Sequence, residues 1–349
     1  MAMEIKEVTN QQDWTNFVRS YTPNTLLQSW NWLEFSQKRG EKTLPLGLYE
    51  GDRLVGAALF VKVESKRANY LVCHGGPLVD WSQWENSGQS DQFDLFHQHL
   101  IDLSRQEKVD FFRIRPPLMH NQRNLRSFLK APYRYKLAPM YFQAEHTLHL
   151  DLTKSEDDLL AGMRKNTRYY IRKAGKNGVE VRVSQDRADL DRLYDLYLET
   201  VERQQFVPYK KQYLVDEFEA FVRQQSADVD LVLGYYQGQL LSAAMIIYYD
   251  QTAYYHHGAS IRHEPDVFAS YLVQWEAIKR AKQRGMTLYD FWGVAPTDDP
   301  KHSRAGLTLF KRGFGGERIR WLHTLDYPMT WRYWPMYAYV KFERWKRRL

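Results

Sequence analysis

The apolar runs in "LGLYEGDRLVGA" (46–57) and "LGYYQGQLLSAA" (233–244) are each broken by polar residues around a glycine. Each stretch predicts a strand, a tight turn around glycine and a second strand. Aligned without gaps, they share Leu46/Leu233, Gly47/Gly234, Tyr49/Tyr236, Gly51/Gly238, Leu54/Leu241 and Ala57/Ala244. The echo continues downstream, where "VCHGGP" (72–77) answers "YHHGAS" (255–260), each closing a third β-rich run. Helical periodicity follows in "DQFDLFHQHLIDLSRQEKV" (91–109) and "DVFASYLVQWEAIKRAKQRG" (266–285), and each gives way to an aromatic strand, "DFFRIRPP" or "LYDFWGVAP". One short match is within reach of chance, but an ordered series points to duplication.

Between the copies, "HTLHLDLTKSEDDLL" passes from an alternating strand into a helix start, with Thr153 or Ser155 as cap and acidic residues in the next turn. That places a join near residue 150. The helical stretch that follows has an apolar face of Met163, Thr167, Tyr170, Ile171 and Ala174. Its other positions are basic: Arg164, Arg168 and Arg172 form an i, i+4, i+8 ridge, joined by Lys165, Lys173 and Lys176, before Gly175 and Gly178 punctuate the end. Like charges at that spacing cost a few tenths of a kcal/mol per pair. The ridge reads either as a solvated face or as a surface for a phosphate-rich partner.

Length then matters. The 349 residues suit two domains, so each half reads as helix, antiparallel strands, helix, strand. That order resembles the Gcn5-related acyltransferase fold, present twice: an α+β (mixed α/β) chain with domains at 1–150 and 151–349. Hydrophobic residues at 44% and aromatics at 15% are ample for packed cores, and a net charge of +7 favours an anionic partner without choosing one. The single Cys73 excludes an internal disulfide and opposes a zinc cluster; its apolar setting reads as a buried structural thiol. The N-terminal residues lack the apolar core of a signal peptide, and no stretch is apolar for the ~20 residues of a membrane span. A cytoplasmic protein is expected.

Several motifs resemble one family, the Fem aminoacyltransferases of peptidoglycan interpeptide bridges. "RKNTRYYIRKAGKNGVEV" resembles its basic helix, "YYHHGAS" its central strand and loop, and "LLQSWNWLEF" its opening motif. "LVQWEAIKRAKQRGMTLYDFWGV" with "DDPKHSRAGLTLFKRGFGG" is similar to its most diagnostic stretch. The resemblance spans nearly the whole chain. It implies transfer of an amino acid from aminoacyl-tRNA to an amine on the stem peptide of a peptidoglycan precursor, either UDP-MurNAc-pentapeptide or lipid II. No extended heptad run occurs after residue 150, so the chain resembles the compact FemX-like form without a coiled-coil arm, acting as a monomer.

The resemblance also implies roles. Lys311, with Phe310 beside it, becomes the cation that binds the tRNA end and stabilises the transition state; the alternative is a surface lysine. An aminoacyl ester is already activated, so no cofactor and no metal are expected. Lys38, Asp80, Trp81, Arg203, Tyr209, Tyr254, Tyr255 and Asp326 are substrate-binding candidates, although core or surface roles fit each alone, and spacing from Trp32 selects Ser36 as readily as Lys38. Arg164, Lys165, Arg168, Arg172, Lys173 and Lys176 are the tRNA-binding candidates. Asp80, Asp290, Asp298 and Asp326 are open as general bases, with a tRNA hydroxyl as an alternative proton shuttle. "HQH" (97–99) and "HTLH" (146–149) have no third ligand cluster to make a metal site.

The tail "MTWRYWPMYAYVKFERWKRRL" (329–349) interleaves aromatics with Lys341, Arg344, Lys346, Arg347 and Arg348. It suits either peripheral contact with the inner membrane face or a helix packed on the second domain. Two rival functions remain. An acetyl-CoA-dependent N-acyltransferase would use the fold, but the R/Q-x-x-G-x-G/A loop has no clean copy here. A non-catalytic RNA-binding protein would use the basic helix and leave the Lys311 loop without purpose.

Overall fold

The computed structural model describes residues 3–346 except 24, 83, 141–143, 205–206, 223–226 and 262–265. Arg347 and Arg348 therefore lie outside the described residues. The chain forms two compact units, Met1–Glu145 with Arg320–Leu349, and His146–Ile319.

The first unit is built on strands Met3–Glu7 (β1), Lys42–Glu50 (β2), Arg53–Val63 (β3), Tyr70–Cys73 (β4), Phe111–Ile114 (β5) and Lys136–Leu137 (β6). The second uses His146–Asp151 (β7), Glu180–Ser184 (β8), Ala227–Tyr236 (β9), Gln239–Tyr249 (β10), Thr252–Ser260 (β11), Leu288–Asp290 (β12) and Glu317–Arg320 (β13). The last strand, Leu325–Pro328 (β14), returns to the first unit. The sheet orders are β1-β2-β3-β4-β5-β14-β6 and β13-β7-β12-β11-β10-β9-β8. In each, a long antiparallel hairpin leads to a parallel pair, β4 with β5 and β11 with β12. The duplication expected from the sequence is therefore a duplication of structure.

The repeated glycines have a shared physical reason. A Cβ at Gly47 would lie 2.5 Å from Val8 Cγ2, and one at Gly234 would lie 2.5 Å from Val273 Cγ2. Each hairpin needs a bare backbone where a neighbouring element crosses it. The expected helices form at Asp91–Gln106, capped by the Ser90 side chain, and at Ala269–Gln283.

Two boundaries differ from expectation. The join lies at residues 145/146, because β7 pairs with β12 and so opens the second unit instead of closing the first. The tail belongs to the first unit, because β14 inserts between β5 and β6. There Arg113 donates to Asp326 through Nε at 2.6 Å and through a terminal nitrogen at 2.9 Å, with the Tyr333 hydroxyl donating to Asp326 at 3.2 Å. Tyr333 opens the final helix, Tyr333–Lys346, and packs against Phe111 and Ala68.

The cores differ in kind. The first is dominated by aromatics, among them Trp81, Trp84, Phe93, Phe112, Phe128, Tyr133 and Tyr135. The second is more aliphatic around Leu148, Leu150, Ile246 and Ile278, with Trp275, Tyr289, Phe291 and Phe314.

Candidate functional site

The site forms where β11 and β12 part. They pair only from Thr252/Leu288 to Tyr254/Asp290, yet β11 continues to Ser260. Beyond the last paired residues the ladder between the two strands ends while β11 runs on. A bulge shapes the same stretch: against β10, Tyr255 pairs with Ile246 and His257 with Met245, leaving His256 as the extra residue. Consecutive strand residues normally point to opposite faces, but a bulge re-aims them. Here both histidine rings turn to one carboxylate, Glu217, on helix Lys211–Phe221. His257 Nε2 lies 2.7 Å and His256 Nδ1 3.2 Å from the Glu217 oxygens.

Glu217 is fully buried. Burial pushes its carboxyl up, but the two imidazoles more than offset this and hold it well below the ordinary carboxylate range. The three donor atoms lie within 4.8 Å of one another, so among the described residues this is a trio able to gather on a cation. Their spacing as found is that of an ion-pair and hydrogen-bond cluster.

Just past β12, Trp292 holds a left-handed backbone, with φ at 59°. Such a conformation is rare for a bulky residue and has to be held by its surroundings. Asp290 accepts the Trp292 N–H at 2.7 Å and a hydrogen bond from the Thr147 hydroxyl, with His149 Nε2 at 3.4 Å. So fixed, the indole meets the Tyr254 ring edge-on at 5.7 Å and the His256 ring at 4.8 Å.

Lys311 enters from helix Ala305–Gly313. Its ammonium donates to the Gly293 carbonyl at 2.9 Å and sits 5.3 Å from the centre of the Tyr255 ring. The side chain is buried. Burial lowers its pKa to about 7; the nearby Asp290 charge works against that shift and Arg304 adds to it. Burial pushes the Tyr255 phenol up to about 12, so its hydroxyl stays neutral. Phe310 packs its ring against Tyr271 and Phe314 at 5.1 and 5.2 Å, at the edge of the second core.

Two other expected residues reach the same strand. Arg203 donates to the Ser260 carbonyl at 2.6 Å. Tyr209 stacks on Tyr213 at 4.3 Å and meets His257 edge-on at 5.8 Å. The second unit thus gathers Lys311, Tyr254, Tyr255, Arg203 and Tyr209 along β11. Glu217, His256, His257 and Trp292 were not foreseen. The "YYHHGAS" stretch held a signal for the histidines, but nothing near Glu217 in sequence announces its partners.

The candidates in the first unit separate. Lys38 and Asp80 are exposed, and Ser36, the alternative to Lys38, is buried. Ser82 N–H donates to Asp80 at 2.8 Å, and with the Ser82 hydroxyl it lowers the Asp80 carboxyl pKa. Trp81 belongs to the aromatic core, 5.3 Å from Trp84 and 5.1 Å from Phe93, so it is a packing residue. Asp326 is committed to Arg113 and Tyr333 with no surface exposure, which removes it as a substrate contact or a base. Asp298, another candidate base, is exposed and paired with Arg312 and Arg318. Past Lys311 the backbone packs closely: a Cβ at Gly316 would lie 2.6 Å from the His149 carbonyl oxygen.

The basic segment divides into helices Glu156–Gly162 and Lys165–Lys176. Arg168 turns back to cap the first, donating to the carbonyls of Leu160, Ala161 and Met163 at 3.3, 3.1 and 2.6 Å. Lys173 lies 5.1 Å from the centre of the Phe268 ring. Arg164, Lys165, Arg172 and Lys176 remain exposed. Arg164 N–H donates to the Gly313 carbonyl at 3.0 Å, so this exposed set starts at the end of the helix that carries Lys311.

Comparison with known proteins agrees with this geometry. The model of the FemAB family matches residues 9–136, and that of the acetyltransferase (GNAT) domain matches residues 161–301. The lipid II:glycine glycyltransferase of Staphylococcus epidermidis is 23% identical over 97% of this chain and 95% of its own length. That of Staphylococcus aureus is 21% identical with the same coverage. Among solved structures, FemX superposes with a TM-score of 0.80 at 19% identity, covering 97% of this chain and all of that one. A tandem GNAT protein from the clavulanic acid pathway superposes with a TM-score of 0.59 at 11% identity, covering 94% of this chain and 99% of that one. The last two establish the shared fold.

Proposed function

We propose that this chain, which belongs to the FemAB family, is an aminoacyltransferase of peptidoglycan bridge synthesis, taking its amino acid from aminoacyl-tRNA and passing it to a stem-peptide amine. The observation that carries the reading is Lys311, a buried cation set on the Gly293 carbonyl and beside the Tyr255 ring of β11. Attack of a neutral amine on an aminoacyl ester makes a tetrahedral oxyanion. A preorganised donor in a water-poor site stabilises that charge by about 3 to 4 kcal/mol. Collapse then expels the 3′ oxygen of the tRNA, and the proton lost by the amine ends on that oxygen. No redox partner or nucleotide triphosphate is required.

A tRNA donor is supported by the exposed Arg164, Lys165, Arg172 and Lys176, whose helix begins at the Gly313 carbonyl. Phosphates tracked along that face would lead the charged 3′ end toward Lys311. The named substrate of the relatives favours lipid II as acceptor. Arg203 and Tyr209 beside β11 are its proposed contacts, a diphosphate being the group a basic side chain suits. Among the described residues no helix is long and apolar enough to cross a membrane. In this reading a cytoplasmic enzyme meets its lipid-linked acceptor at the inner membrane face.

The test is to incubate the purified chain with charged tRNA pools, one labelled amino acid at a time, and either UDP-MurNAc-pentapeptide or lipid II. Label passing to one acceptor establishes the transfer and names both substrates. Transfer from acetyl-CoA to an amine, with none from tRNA, would replace the reading by the GNAT-type alternative.

A further inference from the structure

The final helix, Tyr333–Lys346, is held by one face only. Tyr333 is buried against Phe111, with Met336 and Tyr337 packed beside Ala68 and Tyr70. Arg67 lies 4.0 Å from the centre of the Tyr339 ring, and Arg344 donates to the Pro139 carbonyl at 3.4 Å. The opposite face is apolar and open. At about 100° per residue, Trp334, Ala338, Phe342 and Trp345 fall within an arc of about 80°. Trp334 is 50% exposed, Phe342 55% and Trp345 76%, and Trp331 just before the helix is 75% exposed.

Lysines border this stripe. Lys341 and Lys346 are exposed on its two sides, and Arg332 is exposed at its start. Within residues 332–346 the basic residues are Arg332, Lys341, Arg344 and Lys346, against the single acidic Glu343. Exposed Lys66 and Arg67 lie in the loop just before Ala68, on which the helix rests.

We propose that this helix is an interfacial membrane anchor that lies in the plane of an anionic phospholipid surface, with Trp331, Trp334, Phe342 and Trp345 inserted and Lys341, Lys346 and Arg332 at the headgroups. Tryptophan is suited to that depth, because its ring is apolar and its N–H still finds a polar partner. Each basic residue near an anionic leaflet adds attraction that salt screens. A second copy of the chain is a poorer occupant, since a face-to-face pairing of the stripe brings its bordering lysines toward like charge. The anchor deepens the lipid-linked acceptor reading, but binding itself requires no transfer.

The test is flotation of the full chain with vesicles of phosphatidylglycerol and phosphatidylethanolamine, beside vesicles of phosphatidylcholine alone. The chain is expected to float with the anionic vesicles and to be released as salt rises. The pair Phe342→Glu/Trp345→Glu should weaken partitioning about tenfold or more, and Lys341→Glu/Lys346→Glu should weaken it at low salt only. All four positions are exposed, and unchanged circular dichroism and melting confirm that the fold is kept. With a soluble acceptor, transfer by these variants should equal that of the parent, which separates failure of the anchor from failure of the transferase reading. Absence of binding to anionic vesicles at low salt overturns the proposal, and so does binding indifferent to both pairs. A dimer in sedimentation that Phe342→Glu/Trp345→Glu dissolves, without vesicle binding, would assign the stripe to a second copy instead.

Discussion

The duplicated segments "VCHGGP" and "YHHGAS" occupy the same place in the two sheets and are treated in opposite ways. In the first unit, β4 and β5 stay paired to Cys73/Ile114, and Gln28 fills the position just beyond. Gln28 Nε2 donates to the His74 carbonyl at 2.7 Å and approaches Cys73 Sγ at 3.4 Å, while its Oε1 accepts the Leu59 N–H at 2.8 Å. Burial, with help from Arg115 and Arg113, lowers the His74 pKa to about 3, so that ring is neutral. In the second unit the corresponding residues are His256 and His257, and the group that meets them is the Glu217 carboxylate. One copy is closed by a neutral amide, whereas the other sets a buried carboxylate against its two histidines. A buried carboxylate held between two imidazoles is the kind of cluster that functional sites often use, and it makes the second copy the one to probe.

The largest effects should test the charges themselves. In the first unit, Asp326→Asn leaves the Arg113 guanidinium buried beside a neutral amide, and loss of one partner of such a pair costs about 3 to 5 kcal/mol. Urea unfolding should record that loss, while kcat per folded molecule stays at the parental level. A selective rise in KM for the acceptor at full stability would instead return Asp326 to substrate binding.

Lys311→Met should behave in the opposite way. Transfer falls by about 100- to 1,000-fold if the ammonium serves the oxyanion, and stability rises. The sign follows from the lowered pKa. Between pH about 7 and 10.5 the unfolded chain holds a proton on Lys311 that the folded chain does not, so parental stability climbs with pH across that window. Methionine removes the cost, which is on the order of a few kcal/mol near pH 7 and fades toward pH 10.5. In the parent, a rate that needs the ammonium falls as pH rises through about 7. A rate that instead rises through this point with the Lys311 titration would make the neutral amine the working form.

Exchanging the two plugs sharpens the comparison at a smaller scale. Glu217→Gln converts the second copy to the neutral pattern of the first and removes the carboxylate that holds both rings, a loss of about 2 kcal/mol. Because the Glu217 carboxyl is held below its ordinary 4.5, it adds stability above that pH and loses it as pH falls toward the folded value. The variant should therefore show a flatter stability curve on the acid side. An unchanged acid limb would mean that the cluster is not charged in the folded state.

What could be read in advance follows a physical division. Apolar runs broken at repeated glycines are local, and they identified both hairpins and the duplication. Lys311 sits in a short motif, so it could be singled out as a candidate from local sequence alone. Strand exchange is not local: nothing in "TLDYP" says that Asp326 will meet Arg113, because that register is set by β14 slotting beside β5. Trp81 was misjudged for a related reason, since an aromatic beside an exposed Asp80 looks like a binding residue until Trp84, Phe93 and Phe128 close over it. Glu217 is distant in sequence from His256, and only the β11 bulge turns both histidines toward it. Helical spacing alone also overstated the basic ridge, because it could not know that the preceding helix ends where Arg168 can cap it.

That ridge supplies the smallest and last test. Arg164 and Arg172 are exposed and Arg168 is spent on three carbonyls, so residues that look equivalent in sequence should separate by assay. Arg164→Glu with Arg172→Glu should leave the melting temperature within a degree or two of the parent, because surface substitutions usually change stability by about 0.5 kcal/mol or less. It should weaken tRNA binding about tenfold at low salt and flatten the slope of log affinity against log salt by about one for each phosphate that is no longer neutralised. Arg168→Ala should do the reverse, costing about 1 kcal/mol of stability as the cap is removed while the salt slope stays put. If Arg168→Ala alone changes the slope, the guanidinium leaves its carbonyls when RNA binds. If neither variant changes it, the basic face is only solvated, and the first unit or the Lys311 helix must hold the tRNA instead.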